Sequence, residues 1–215
     1  MDMVHHYYRM TQKQSSPTRN ALAKVRIIGG QWKRTPLRVV PAAGLRPTPN
    51  RVRETLFNWL KQDLSGWHVL DLCAGTGALG LEAASRNAGH VLMLESHALA
   101  AREIERIIAK LGASAQCRVE QTDAMRVLPT LPQAHYDLAF LDPPFDAGLH
   151  LPLAKACHAV LKPGGWLYVE APSSEAITAV QALGYRAYRQ SQAGAVSFAL
   201  LCKDQSENTT YARPA

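Results

Sequence analysis

From Trp67 to Cys202 the chain alternates short apolar runs with longer segments of helical periodicity, and this alternation constrains the fold more than any other feature. Strands are predicted at Trp67–Leu72, Val91–Glu95, Cys117–Gln121, Tyr136–Leu141 and Trp166–Glu170. Helices are predicted between them at Ala78–Asn87, Ala98–Leu111, Ala124–Pro129, Leu149–Leu161 and Ser174–Leu183. Ser96 reads as the cap of the second helix, and Lys162-Pro163-Gly164-Gly165 as the turn before the fifth strand. Tyr185–Gln190 and Ala195–Cys202 read as two further strands joined by a turn near Gly194. Repeated βα units require a mostly parallel sheet with helices on both faces, and the closing hairpin adds an antiparallel edge. The expected fold is α/β, with a seven-stranded sheet.

The first strand runs into Asp71-Leu72-Cys73-Ala74-Gly75-Thr76-Gly77, and a helix follows. Glycines at the carboxyl end of a strand mark the binding position of open α/β sheets. The run Gly75 to Gly80 also satisfies the dinucleotide fingerprint, so a nicotinamide cofactor and S-adenosylmethionine both remain open on the glycines alone. Asp71 favours the methyl donor. A carboxylate there repels a pyrophosphate but suits a cationic, amino-bearing methionine end. Acids recur at the following strand ends: Glu95, Asp123 and Asp142. Glu95 is placed to accept hydrogen bonds from ribose hydroxyls, and Asp123 to meet an adenine amino group. Taken singly, either reads equally well as a surface-loop acid. The expected cofactor set is Asp71, Cys73, Gly75, Thr76, Gly77, Glu95 and Asp123.

Seventy-one residues after Asp71 stands Asp142-Pro143-Pro144-Phe145. An exocyclic amine on a base is a poor nucleophile, because its lone pair is conjugated with the ring. Asp142 and the Pro143 carbonyl can each accept one N–H and draw the nitrogen toward tetrahedral geometry. Pro143 and Pro144 stiffen the turn and add no competing donor. Phe145 offers a face for the base to stack on. Transfer is then direct in-line displacement, driven by positioning and electrostatics, with no metal and no covalent enzyme intermediate. Cys73 lies inside the cofactor turn and is not a nucleophile.

Charge is segregated. Residues 1–62 carry twelve Lys and Arg against two acids, a net of +10, while the remainder is net −3. A basic block ahead of the cofactor motif is the footprint of nucleic-acid binding, against the plainer reading of a solvated charged tail. Val25 to Val40 reads as a β-rich unit with Gly29-Gly30 as a hairpin turn, and Pro41 to Pro49 as loop. Thr48-Pro49 then reads as the cap and first residue of a helix through Leu60. Val52, Leu56, Phe57 and Leu60 share its apolar face, with Arg51, Arg53 and Lys61 on basic ones. The first 24 residues read as a disordered basic arm or an over-long start, since Met10 could also initiate. The polar end of the chain, 204–215, reads as a disordered tail.

No apolar run reaches the ~18 residues that cross a bilayer. The four cysteines lie about 40 residues apart with no CxxC pair, so reduced thiols in a cytoplasmic protein and no metal are expected. The organisation expected is an arm (1–24), an RNA-binding extension (25–62), a methyltransferase domain (63–203) and a tail (204–215).

Five segments together resemble the RsmD family of bacterial 16S rRNA guanine-N2 methyltransferases, named for guanine 966 of that RNA. They are Arg26-Ile27-Ile28-Gly29-Gly30, Gly44-Leu45-Arg46-Pro47-Thr48, Arg51 to Leu60, Asp71 to Gly80 and Asp142 to Phe145. The resemblance covers about residues 24–202, and the N-terminal segments are its most specific part. It implies a Rossmann-like class I methyltransferase fold, S-adenosylmethionine as donor, and 16S rRNA of the 30S subunit or its assembly intermediate as substrate of a monomeric enzyme. By this resemblance Asp71, Gly75 and Gly77 hold the donor, with Glu95 on its ribose. Asp142, Pro143 and Phe145 hold the guanine, and Arg46, Arg51 and Arg53 meet phosphate, with Arg26, Lys33 and Arg34 extending that surface. Cys73 stands where an aromatic residue is common in the family. Competing readings are an amino-methyltransferase of DNA adenine or protein glutamine, an NAD-binding oxidoreductase, and a non-catalytic ribosome-assembly factor. The first lacks an obvious target-recognition domain here, and the oxidoreductase does not explain Asp142 to Phe145.

Overall fold

A computed structural model of the chain describes residues 25–40 and 49–204. The expected arm, most of the tail, Thr48 and Arg46 lie outside the described residues. A seven-stranded sheet forms the centre. Its strands are β3 (His68–Asp71), β4 (His90–Glu95), β5 (Cys117–Gln121), β6 (Tyr136–Leu141), β7 (Leu161–Ala171), β8 (Tyr185–Ala193) and β9 (Val196–Lys203). In space they run β5-β4-β3-β6-β7-β9-β8. The first five are parallel, and β9 joins β7 and β8 antiparallel. Sequence order reverses between β3 and β6, and this switch point opens a crevice above the carboxyl ends of both strands.

Strand alternation divides the core into two layers. Val69, Met93, Leu138, Phe140, Tyr168 and Leu200 face one side. There they meet α1 (Asn50–Trp59), α2 (Ala78–Ser85) and α3 (Ala98–Lys110). Leu70, Leu72, Leu94, Ala139, Leu141, Leu167 and Val169 face the other, under α5 (His150–Val160) and α6 (Ser174–Gln181). A short α4 (Ala124–Val127) continues as a 3-10 turn over Leu128–Thr130.

Several local expectations change. The α3 cap is His97, whose side chain accepts from Ala100 N–H, rather than Ser96. Lys162 to Gly165 lie inside β7, because Tyr136 pairs with Leu161 before the register shifts to Leu138–Trp166. The β8–β9 pair also shifts register, between Ala187 and Arg189, leaving Tyr188 as an extra residue.

The N-terminal unit is smaller than a full hairpin. Only β1 (Val25–Arg26) and β2 (Pro36–Leu37) pair, and the chain turns over residues 31–34. Gly29-Gly30 is required for a different reason. A Cβ on Gly30 would lie 1.8 Å from the Ser85 carbonyl oxygen, and one on Gly29 2.3 Å from the Arg86 guanidinium. The pair lets the backbone press against the end of α2. Val25, Ile27, Leu37, Val52, Leu56 and Phe57 share one core with Val69 and Leu81, so the basic extension is packed into the sheet's first layer.

Candidate active site

The glycine turn sits at the carboxyl end of β3. Gly75 and Gly77 take φ of 56° and 75°, values that L side chains rarely adopt. A Cβ on Gly80 would lie 2.7 Å from Met93, so the third glycine serves helix–sheet packing. Asp71 is buried, and its Oδ2 accepts the Gly80 N–H at 3.0 Å. Burial, with a smaller push from the Glu95 charge, raises its carboxyl to about 7, against the pull of the Gly80 and Cys73 N–H groups.

Glu95 closes the end of β4. Its Oε2 accepts from Gly75 N–H at 2.7 Å and its Oε1 from His97 N–H at 2.7 Å. One carboxylate thus ties the cofactor turn to the start of α3. Asp123 is exposed and caps α4 by accepting from Met125 N–H at 2.8 Å. Thr76 is half-buried within the turn.

Asp142 follows β6 directly and is half-buried, Pro143 is buried, and Pro144 and Phe145 are exposed. The Phe145 ring lies 6.0 Å from that of His150, and Phe145 starts a short 3-10 turn through Ala147. Leu72 N–H donates to the Phe140 carbonyl at 3.1 Å and locks the ends of β3 and β6 together. The Cys73 thiol is raised above its ordinary value by burial first, then by the charges of Asp71, Asp142, Glu95 and Asp123. The raised thiol is no nucleophile.

Of the basic residues, Arg26, Lys33, Arg34 and Arg51 are exposed. Arg53 is not, and its placement on an RNA-facing surface is corrected. It is fully buried, donates to the Arg26 carbonyl at 2.9 Å and to Asn50 Oδ1 at 2.7 Å, and lies 3.7 Å from Glu82. A guanidinium enclosed in this way cannot reach a phosphate. Glu82, on α2, also accepts from Ile28 N–H at 2.6 Å and Gly29 N–H at 2.8 Å, and pairs with Arg86 at 2.8 Å. The signal was present in the sequence: Arg53, Phe57 and Leu60 share one helical stripe, and Glu82 stands alone among apolar neighbours.

Two further residues at the site were not singled out by sequence reasoning. Glu170, near the end of β7, is buried, and Tyr168 Oη donates to its Oε1 at 2.9 Å. It is a fifth strand-end acid and carries the same signal as the other four. A cleft of about 340 Å³ opens between α1 and the β8–β9 hairpin, lined by Arg51, Val52, Thr55, Gln192 and Phe198. Among the described residues no group of three or more His, Cys, Asp or Glu side chains could hold a metal ion.

The family described as Conserved hypothetical protein 95 matches residues 25–202. The chain belongs to this family. It is the RsmD family that the sequence motifs resemble. Ribosomal RNA small subunit methyltransferase D of Escherichia coli strain K12 is 37% identical over 190 residues, covering 86% of this chain and 92% of that protein. The protein of the same name from Haemophilus influenzae is 39% identical over 152 residues, 70% of this chain and 77% of its own. The solved structure of yhhF from Escherichia coli matches with a TM-score of 0.75 at 35% identity, covering 85% of this chain and 99% of that one. At 18% identity, a precorrin-6y C5,15-methyltransferase from Geobacter metallireducens shares the fold alone, with a TM-score of 0.61 over 77% of this chain and 94% of that one. The sheet is the mostly parallel class I methyltransferase sheet, and the protein is an enzyme of the methyltransferase class.

Proposed function

We propose that the protein transfers a methyl group from S-adenosylmethionine to the exocyclic N2 amine of one guanine in 16S rRNA, within the 30S subunit or an assembly intermediate. The observation that carries this reading is the placement of Asp71, Glu95 and Asp142 at the carboxyl ends of adjacent parallel strands β3, β4 and β6, with Asp123 just past β5, beside the switch point and the Asp142-Pro-Pro-Phe145 turn. Such a set of carboxylate acceptors suits an amino-bearing, hydroxyl-rich cationic ligand and disfavours a pyrophosphate, which argues against the oxidoreductase. The positive-φ glycines supply the close backbone approach that a nucleoside needs.

S-adenosylmethionine, when bound, supplies an electrophilic methyl on a sulfonium. The rest is done by the chain. Gly75 and Gly77 admit the donor against the backbone, and Glu95 meets its ribose while holding the turn. Asp142 and the Pro143 carbonyl accept the two N–H groups of the amine and orient its lone pair. Phe145, already exposed, stacks on a base that has left its own stack. Arg26, Lys33, Arg34 and Arg51 face RNA phosphate, and Arg46 belongs to the same basic segment. Relatives named for small-subunit ribosomal RNA support this substrate over DNA or protein. On this reading the protein works in the cytoplasm, where its rRNA substrate is, and no described helix is long and apolar enough to cross a membrane.

The test is tritiated methyl transfer from S-adenosylmethionine to 30S subunits that lack the modification, followed by nucleoside analysis. N2-methylguanosine at a single position is the expected product. No transfer to 30S subunits or to 16S rRNA, with the donor still bound, would shift the substrate to a DNA or protein amine.

A further inference from the structure

Glu170 stands one strand over from Asp142. Parallel β6 and β7 pair Leu141 with Val169, so the next residues along, Asp142 and Glu170, lie side by side. Within β7, Glu170 shares the sheet face that carries Tyr168, since residues two apart share a face, and Asp142 stands just past the end of the strand that carries Phe140. The buried Tyr168 hydroxyl is raised by burial first and then by the charges of Glu170 and Asp142. On the far side Glu170 pairs in register with Phe198, a wall of the cleft beneath α1. Glu170 therefore lies between the Asp142 turn and that cleft.

We propose that Glu170 is a specificity-determining residue, whose carboxylate accepts the N1–H of the target guanine while Asp142 accepts from N2. The inference rests on the guanine-N2 reading. Guanine presents two adjacent donors, N1–H and the N2 amine, on one edge. Adenine and cytosine present an unprotonated ring nitrogen beside their amines, and such an acceptor faces a carboxylate with repulsion. Two neighbouring acids at the ends of β6 and β7 match the donor pair of guanine and reject the donor–acceptor pairs of the other bases. The hydrogen bond from Tyr168 fixes the carboxylate without consuming its acceptor capacity, because an ionised carboxylate offers about four lone-pair sites.

The plainer role for Glu170 is to balance buried Arg53, whose charge it also stabilises. The two roles separate by substrate. The probe is 30S subunits reconstituted with 16S rRNA bearing either guanosine or 2-aminopurine ribonucleoside at the target position. The analogue keeps the 2-amino group but turns N1 into an acceptor. Wild-type enzyme is expected to prefer guanosine. In Glu170→Gln, whose amide can donate to N1, that preference in kcat/KM is expected to fall roughly tenfold or more. Glu170→Asp, which withdraws the carboxylate by one methylene, serves if the glutamine variant does not fold, with the same expected fall. An equal loss on both substrates, or an unchanged preference, makes Glu170 a structural partner of Arg53 and overturns the inference. Wild-type enzyme that methylates neither substrate sinks the guanine reading itself, and this inference with it.

Discussion

Glu82→Gln is the sharpest test of how the basic extension is held. The wild-type carboxylate is fully buried and receives two backbone N–H groups, from Ile28 and Gly29, besides facing Arg53 and Arg86. Glutamine keeps the volume but turns one acceptor oxygen into an NH2 group. One of the two N–H donors then meets another donor, and two cations lose their counter-charge. Removing one partner of a buried pair costs about 3–5 kcal/mol. For a protein of this size that is a fall in Tm of roughly 6–20 °C. The converse substitution, Arg53→Met, is predicted to cost far less. Burial already disfavours the Arg53 charge, Nε and Nη1 have no hydrogen-bond partner among the described residues, and Glu82 keeps Arg86 and both N–H groups. Methionine fills similar space, Glu82 stays compensated, and the cost is limited to the two hydrogen bonds lost at the Arg26 carbonyl and Asn50 Oδ1, about 1–2 kcal/mol. Thermal and urea unfolding, followed by circular dichroism, give both values. Equal costs for the two variants, or a Glu82→Gln cost below about 1 kcal/mol, would refute the claim that Glu82 is the anchor of this network.

Asp142→Ala should lower methyl transfer by roughly a hundredfold or more while calorimetric donor affinity stays near wild type; lost donor affinity would contradict its role on the amine. Arg51→Glu should weaken RNA binding and flatten the salt dependence of affinity by about one phosphate contact, and unchanged binding across a salt series would remove the exposed face of α1 from the interface. Asp71 sets a pH dependence of stability. Its folded value of about 7 exceeds the ordinary 3.8, so its contribution is full below about pH 4 and is lost as pH rises toward 7. The loss amounts to roughly 4 kcal/mol at most. Asp71→Asn should flatten stability between pH 4 and 7, and an unaltered pH profile by urea unfolding would refute the burial argument.

Much of this molecule was legible before any coordinates. The limits of β5 and β6 match the segments expected from the alternation of strand and helix, and the parallel sheet follows from the repeated βα units. Glu95 and Asp142 fall at strand ends because such ends line the crevice in any open α/β sheet. What failed to show depends on partners distant in sequence. Gly29-Gly30 looked like a turn because a close approach to α2, more than 50 residues away, leaves the same letters as a hairpin. Arg53 looked like an RNA contact because charge is ordinarily a surface property, and its burial depends on Glu82, the Arg26 carbonyl and Asn50, which only the fold brings to it. Glu170 was read only as the last residue of a strand, although it carries the same strand-end position as the other acids.

The register shift at Ala187 and Arg189 also matters for how the protein keeps company with itself. Among the described residues β8 is the outermost strand on its side, so one row of its backbone groups has no described neighbour in the sheet. A flat strand there would be a template for a second copy and the start of a fibril. The extra residue Tyr188 breaks the ladder, turns its ring onto Trp166 at 5.1 Å, and carries the Arg189 guanidinium over its face. A bend, an aromatic clasp and a positive charge thus blunt the exposed rim at the point where sticking would begin. Deleting Tyr188 would straighten the strand, and the first symptom would be aggregation at high protein concentration.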